Sequence, residues 1–311
     1  MRTSDSYKEF YGKSAILMVT YNTPPNFQQI KAAFQFVKYI IIIDNNSKSE
    51  IKSEILKFSN SNPNCTSIFN DSNYGVSRAY NVGANYAKSI GIEWLFFLDG
   101  DAYFEKEYFI ESFLMLREAM KLRINLGIIC PIVADSEHLK MTKFKDKFSY
   151  IESSITSGIM ININVFLEVG GYNEALFVEG TDLDFTRRIV KNGMKICRIN
   201  KVLITQPFGR SLPLNSFIIV KFFNFISFMS SSLTLRLGKL NVLRTRYPDY
   251  DSSRREQYYK SLRKSSDSSL KPSLILYSAL SKLLDTLFFK IVGNESGRIE
   301  TKHEDEVNDF A

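Results

Sequence analysis

Hydrophobic positions in the first hundred residues predict an alternation of buried strands and amphipathic helices. The strand candidates are short, nearly uninterrupted apolar runs, which are typical of strands covered on both faces. The helix candidates are longer and place apolar side chains at a spacing of three and four residues. In chain order the pattern predicts a strand at 15–20, a helix at 27–38, a strand at 39–43, a helix at 51–58, a strand at 66–70, a helix at 73–88 and a strand at 94–98. Alternation of this kind predicts an α/β fold with a mainly parallel central sheet.

The pattern continues less regularly as far as residue 210. We expect a helix at 108–122, a strand at 128–133, an apolar segment at 155–163, a segment at 166–172 closed by Gly170-Gly171, a helix at 182–192 and a strand at 195–205. The sequence therefore predicts a first domain at 1–210. A helical, aromatic and basic extension is predicted at 211–292 and an acidic, disordered tail at 293–311.

Three of the predicted strands end in polar clusters. Tyr21-Asn22 follows the first strand, 44–47 (Asp-Asn-Asn-Ser) follows the second, and Asp99-Gly100-Asp101 follows the fourth. Ligands of open parallel sheets bind beyond the carboxyl ends of the strands. This edge of the sheet is therefore the predicted binding site.

The Asp99-Gly100-Asp101 triplet places two carboxylates next to a buried strand. A turn at Gly100 would let both approach one hard divalent cation, which prefers oxygen ligands. Such an ion neutralises the charge that develops on a diphosphate leaving group. The alternative is an ordinary surface turn of common composition.

Two further segments suit a nucleotide. Asp44 offers an acceptor for the imide N–H of a uracil or thymine ring, while 45–47 offers amides and a hydroxyl for ribose; the alternative is a helix cap. The segment 73–83 opens a helix at Gly75 with Arg78 nearby, a combination that suits a diphosphate.

An acidic cluster at 179–184 contains three carboxylates, Glu179, Asp182 and Asp184, at a predicted helix start. One interpretation is favourable capping of the helix dipole. The other is a general base for an acceptor hydroxyl, with like charges and burial raising the pKa of one carboxylate at this edge.

The order and spacing of these motifs resembles family 2 glycosyltransferases, and more narrowly the bacterial rhamnosyltransferase-like branch that builds cell-surface polysaccharides. The resemblance rests on 15–22, 44–47, 73–83, 97–101, 157–158, 170–171 and 177–188. It implies a GT-A fold and inversion by direct displacement. One departure is Gln206-Pro207-Phe208-Gly209, where the branch often begins the element with histidine.

The resemblance also implies roles for individual residues. Asp182 would be the catalytic base, and Ser157, Gly158, Glu179 and Asp184 would lie on the acceptor side. Asp101, chiefly, and Asp99 would hold Mn²⁺ or Mg²⁺. The residues expected to bind the nucleotide-sugar donor are Thr20, Tyr21, Asn22, Asp44, Asn46, Ser47, Asn73, Gly75, Arg78 and Asp99.

Charge and cysteine usage bear on location and partners. The net charge is +7, with −4 on residues 295–311 and +11 on the rest, which favours a polyanionic partner. The apolar run 216–229 is too short to span a bilayer, and with the basic segment 244–264 it has the composition of an interfacial anchor on anionic lipid; the alternative is a helical layer packed on this domain or on a second copy of the chain. No nucleic-acid-binding motif is present, so we expect no nucleic-acid partner. Three widely spaced cysteines and a polar N-terminus lead us to expect a cytoplasmic protein, peripheral at the inner face of the cell membrane.

The sequence thus predicts an inverting, metal-dependent glycosyltransferase. It would move a sugar from a UDP- or dTDP-sugar, with dTDP-rhamnose one candidate, to a hydroxyl of a lipid-linked cell-surface polysaccharide. The alternative is a non-catalytic subunit that binds nucleotide sugars or serves as a scaffold in a glycan assembly complex.

Overall fold

A computed structural model describes residues 8–135, 144–178 and 180–206. The helices are α1 (Lys8–Tyr11), α2 (Phe27–Ala33), α3 (Ser49–Asn60), α4 (Gly75–Ser89), α5 (Glu107–Lys121), α6 (Ile163–Glu168) and α7 (Thr181–Lys191). The strands are β1 (Ser14–Thr20), β2 (Tyr39–Asp44), β3 (Cys65–Phe69), β4 (Trp94–Asp99), β5 (Tyr103–Phe104), β6 (Leu126–Asp135), β7 (Phe148–Ile151), β8 (Met160–Asn162) and β9 (Lys195–Gln206).

The strands of the described part of the chain form one mixed sheet in the order β3-β2-β1-β4-β8-β6-β9-β5, with β7 also paired to β9. The pairs β1–β2, β1–β4, β2–β3 and β6–β9 are parallel. The short strands β5, β7 and β8 run antiparallel to their neighbours. The prediction of a mainly parallel central sheet is confirmed.

Two apolar cores cover the two faces of this sheet. Alternate residues of β1 point to opposite sides, so that Ile16 and Met18 enter one core while Leu17 and Val19 enter the other. Helices α2 and α5 pack on the first face, and α4, α6 and α7 pack on the second. Because both faces are covered, β1 is buried at every position, which explains its uninterrupted apolar sequence.

Most predicted elements appear within two residues of their expected bounds, but the helix predicted at 27–38 ends at Ala33. The chain leaves it through tight turns in which Phe36 N donates to Ala33 O. Phe36 and Val37 are still buried, and Phe36 stacks on Phe109 of α5. Of the positions on the predicted apolar face, Ile30, Ala33 and Val37 are buried and Phe34 is partly buried, whereas Phe36 lies outside that spacing and is buried. The predicted length of the helix was wrong.

One side chain from α2 completes the hydrogen bonding of the short strand β5. Gln29 Oε1 accepts from Phe104 N at 3.0 Å, and Gln29 Nε2 donates to Phe104 O at 3.3 Å. The opposite edge of β5 pairs with β9. Gln29 thus fixes the backbone that follows the Asp99–Asp101 loop.

The predicted extension at 211–292 and tail at 293–311 lie outside the described residues, so their predicted bounds stay predictions. Within the described part of the chain, every helix is too short or too polar to cross a bilayer.

Candidate active site

The three polar clusters predicted at strand ends lie side by side at one edge of the sheet. Thr20, the last residue of β1, is in register with Asp44 of β2, and Val19 is in register with Asp99 of β4. Asn45 N donates to Thr20 O at 2.9 Å, which extends the ladder into the loop. The prediction that these clusters share the carboxyl edge is confirmed by the register.

Asp44 is the last residue of β2, at this edge of the sheet, and is fully buried. Its Oδ2 accepts from Ser47 N at 2.9 Å, while its Oδ1 has no hydrogen-bond partner in the part of the chain that the structure describes. Buried polar atoms are nearly always paired, so an unpaired carboxylate oxygen at a sheet edge points to a ligand donor.

The loops after β1 and β2 are tied together. Asn22 N donates to Ser47 Oγ at 2.7 Å, and Asn22 Oδ1 accepts from Lys48 N at 3.0 Å. Asn22 and Asn46 both have left-handed backbone (φ 53° and 66°), a conformation that asparagine tolerates better than most residues. Tyr21, the residue before Asn22, is half-buried, and Asn46 is exposed. The predicted donor-binding residues of these two loops therefore form one rigid unit.

Asp99 ends β4 and is partly accessible, but its carboxylate is enclosed by polar side chains. Tyr80 OH donates to Asp99 Oδ1 at 2.9 Å, and Ser157 Oγ accepts from Asp99 N at 3.3 Å. The Gln206 side chain lies near enough to the Asp99 carboxyl to lower its pKa. Gln206 Oε1 is buried and has no hydrogen-bond partner among the described residues.

Burial raises the pKa of the Asp99 carboxyl from its ordinary value of 3.8 to about 6. The Tyr80 hydrogen bond opposes the rise, and the negative charges of Asp101 and Asp182 add to it. Those two charges show that the structure brings Asp99, Asp101 and Asp182 within electrostatic range of one another. Asp99 is thus a carboxyl group of this edge whose pKa is raised.

Asp101 is exposed and follows a turn in which Ala102 N donates to Asp99 O at 3.1 Å. Asp182 is half-buried near the start of α7, and its Oδ1 accepts from Leu183 N at 2.7 Å. Its charge also raises the pKa of the Tyr172 hydroxyl, after the larger effect of burial. Asp182 therefore lies within electrostatic range of both Asp99 and Tyr172.

The start of α4 forms the far side of the edge. Asn73 Oδ1 accepts from Gly75 N at 3.1 Å, and Asn45 Nδ2 donates to Gly75 O at 3.0 Å. Gly75 has φ +82°, and a Cβ there would lie 2.4 Å from Phe177 O, so only glycine fits. The guanidinium of Arg78 lies 3.9 Å from the centre of the Tyr74 ring. Asn73 and Gly75 thus shape the helix start, and Arg78 is held by a cation–π contact.

The residues predicted for the acceptor side are less uniform. Ser157 is buried against Asp99, and Gly158, with φ +90°, is buried against Ile204. Asp184 forms an ion pair with Arg188, in which Arg188 Nη2 lies 2.7 Å from Asp184 Oδ2. Glu179 lies outside the described residues. Ser157, Gly158 and Asp184 each contact other residues of the protein. Their role in binding the acceptor stays a prediction.

Residue-by-residue reading of the sequence missed two buried side chains of the site. Tyr80 lies within α4, where its aromatic ring satisfies the apolar pattern and nothing in the sequence signals its hydroxyl contact with Asp99. Tyr172 follows Gly170-Gly171 and packs on Tyr80 with ring centres 5.6 Å apart. Gln206 was noted only as a departure from a family pattern, and the structure makes it a neighbour of Asp99.

Comparison with known proteins agrees with this geometry. The family described as glycosyl transferase family 2 matches residues 15–167. The chain is 23% identical over 214 residues to the dTDP-rhamnosyl transferase RfbF of Shigella flexneri, a match that covers 62% of this chain and 68% of the relative.

Two solved structures share the fold. GalNAc-T7, crystallised with UDP, GalNAc and Mn²⁺, superposes with a TM-score of 0.53 at 15% identity, covering 65% of this chain and 45% of the other. TarS of S. aureus superposes with a TM-score of 0.50 at 16% identity, covering 74% of this chain and 40% of the other. The chain therefore spans less than half the length of each, and at these identities the likeness concerns the fold. Together with the motif order and the strand-edge geometry, these matches show that residues 15–167 carry a glycosyl transferase family 2 domain, and that the described part of the chain has a GT-A-like fold.

Proposed function

We propose that this protein is an inverting glycosyltransferase that uses a UDP- or dTDP-sugar donor. The observation that carries the proposal is the convergence of Asp99, Asp101 and Asp182 at one sheet edge, two strands from the unpaired Oδ1 of Asp44. The likeness to RfbF, whose name describes a dTDP-rhamnosyl transferase, supports dTDP-rhamnose as one candidate donor.

Asp44 is suited to select the nucleobase. Uracil and thymine share an imide N–H, and the buried, unpaired Oδ1 of Asp44 is an acceptor for such a donor. A site built around a buried acceptor discriminates strongly against ligands that lack the matching donor, because the acceptor is then left unpaired. Adenine has no imide N–H, so we expect ADP-sugars to be rejected.

The oxygen atoms near Asp99 fit a hard divalent cation. Asp101 and Asp99 would hold it, and the unpaired amide Oε1 of Gln206 offers another hard oxygen beside them. Among residues 8–135, 144–178 and 180–206, no three His, Cys, Asp or Glu side chains form a metal-binding group. The proposed ion would therefore need phosphate oxygens of the donor as further ligands. When bound, Mn²⁺ or Mg²⁺ would neutralise the charge on the departing nucleoside diphosphate.

Asp182 is the proposed general base. It accepts the proton of the acceptor hydroxyl while that oxygen attacks the anomeric carbon from the face opposite the diphosphate. The new C–O bond forms as the bond to the diphosphate breaks, and the configuration at the anomeric carbon inverts. Placement of Asp182 at the start of α7, next to Asp99, supports this role.

The test is release of nucleoside diphosphate from a panel of UDP-, dTDP-, GDP- and ADP-sugars in Mn²⁺ or Mg²⁺. We expect slow hydrolysis of one pyrimidine donor, abolished by EDTA and by Asp101→Asn. Glu118→Gln, which removes an exposed carboxylate on α5, serves as the control and should leave the rate unchanged. Metal-dependent donor binding without turnover, in the presence of acceptor, would favour the non-catalytic alternative. An absence of donor binding would refute the proposal.

The proposed acceptor is a hydroxyl of a lipid-linked cell-surface glycan, reached from the cytoplasmic face of the membrane. Support comes from composition alone, since the segment 216–229 is apolar and aromatic and 244–264 is basic. Co-sedimentation of the protein with vesicles containing 30% phosphatidylglycerol should exceed that with neutral vesicles and fall in about 0.5 M salt. Equal binding to both would contradict the electrostatic part of the proposal.

A further inference from the structure

Helix α4 of the donor side and the segment that leads into α7 are joined by a row of hydrogen bonds, which are partly buried at Asn81 and fully buried at Ser77. Val76 N donates to Phe177 O at 2.7 Å. Asn81 brackets Tyr172, with its Nδ2 donating to Tyr172 O and its Oδ1 accepting from Tyr172 N, each at 2.8 Å. These contacts attach the backbone before α7 to one face of α4.

The last contact in this row reaches the first residue of α7. Ser77 Oγ donates to Leu176 O at 2.5 Å and lies 3.0 Å from Thr181 Oγ1. Since the Ser77 hydroxyl has a single proton, which is used on Leu176, Thr181 must be the donor to Ser77 Oγ. Ser77 is fully buried and Thr181 is 2% exposed, so water cannot replace either partner.

The residue that caps the start of helix α7 contributes no side-chain hydrogen bond. The residue before Thr181 is Gly180, which has a left-handed backbone and no side chain to cap the helix. Asp182 follows Thr181 directly. The backbone of the proposed base is therefore anchored through the hydroxyl of its neighbour.

We propose that Ser77 and Thr181 are positioning residues. Their hydrogen bond fixes the start of α7, and with it Asp182, relative to helix α4 on the donor side. The same helix contacts the base-binding loop, since Asn45 Nδ2 donates to Gly75 O at 3.0 Å. Helix α4 therefore contacts both the loop proposed to bind the nucleobase and the residue next to the proposed general base, Asp182. Displacement of a catalytic group by about 1 Å reduces turnover by up to about a hundredfold, even when ligand binding is intact. This inference rests on the proposed function, in which Asp182 is the general base.

The experiment compares Thr181→Val with Thr181→Ser in the full-length protein, with the donor that the panel identifies. Valine has nearly the shape of threonine and lacks the hydroxyl, whereas serine keeps the hydroxyl. We expect Thr181→Val to lower kcat by at least about tenfold, with donor KM and nucleoside diphosphate affinity within about twofold of wild type. Thr181→Ser should keep kcat within about threefold. Ser77→Ala is the second variant and should resemble Thr181→Val.

Two double variants separate positioning from general damage to the fold. Ser77→Ala combined with Thr181→Val should be no slower than the slower single variant, because both remove the same hydrogen bond. In an Asp182→Asn background, Thr181→Val should have no further effect on kcat, since it acts through Asp182.

Equal kcat for the valine and serine variants would overturn the inference. So would a loss in donor affinity as large as the loss in kcat, or a further tenfold loss in the Asp182→Asn background. An inactive wild-type protein would instead count against the proposed function, so the two failures are distinguishable.

Discussion

Replacement of Asp99 by asparagine should stabilise the metal-free protein at neutral pH. The folded state raises the pKa of this carboxyl from 3.8 to about 6, so folding disfavours its ionised form. A shift of about two pH units, at about 1.4 kcal/mol each, corresponds to about 3 kcal/mol. Because Asp99 is partly accessible to water, we expect between about 1 and 3 kcal/mol. Asparagine keeps an oxygen to accept the Tyr80 hydroxyl.

The sign of the pH dependence follows from linkage. Between pH 3.8 and about 6 the folded protein holds a proton on Asp99 that the unfolded chain releases, so this carboxyl makes stability fall as pH rises through that window. Below pH 3.8 both states are protonated and the penalty vanishes. The advantage of Asp99→Asn should therefore be large at pH 7.5 and small near pH 4.

The assay is urea unfolding in the presence of EDTA, with tryptophan fluorescence as the signal that monitors unfolding. Trp94 is the single tryptophan of the chain and begins β4, the strand that Asp99 ends, so the signal reports on this sheet. Asp184→Asn is the opposite control, since it removes the ion pair with Arg188 and should destabilise the protein. Addition of Mn²⁺ should reverse the order of wild type and Asp99→Asn, because a ligand stabilises the form that binds it. A variant that is no more stable than wild type at pH 7.5, or equally favoured at pH 4 and 7.5, would refute the reasoning.

Two glycine substitutions test the packing of α4, and a third, outside the helix, serves as the control. Gly75→Ala places a methyl 2.4 Å from Phe177 O on a residue with φ +82°, so urea unfolding should show a loss of more than about 2 kcal/mol. Gly83→Ala places a methyl 2.2 Å from Leu17 Cδ1, and the loss should be about 1–3 kcal/mol, since a side chain yields more easily than backbone. Gly12→Ala, which meets no atom within 4 Å, is the control and should change the unfolding free energy by less than about 0.5 kcal/mol; equal effects at all three positions would contradict this account.

Hydrophobic pattern sufficed for the parallel part of the sheet, because strands covered on both faces leave uninterrupted apolar runs. The hydrophobic pattern was insufficient to predict the strands β5 and β7. A strand of two residues such as β5 has no detectable periodicity, and β7 is recognisable only through its pairing with β9. Local sequence carries no record of a partner more than forty residues away.

The candidate site shows the same division. Asp44 and Asp99 were found because each follows an apolar run, and the parallel order of the strands brings the two ends together. Tyr80 was missed because its ring satisfies the apolar pattern of α4 while its hydroxyl reaches Asp99, nineteen residues along the chain. The Ser77–Thr181 pair spans 104 residues, and neither residue type is distinctive. Contacts of this kind depend on how the layers pack, which is decided only when the sheet and helices assemble.

The side chain of Gln29 has a consequence for association between molecules. An exposed edge strand presents unpaired N–H and C=O groups that invite a strand from another chain. Phe104 would present one such pair, and the Gln29 amide occupies both groups. Gln29→Leu would uncover them, and the variant should self-associate at concentrations where the wild-type chain does not. A single amide from a neighbouring helix thus occupies both backbone groups of Phe104 at the edge of the sheet, and we expect it to limit pairing with other chains.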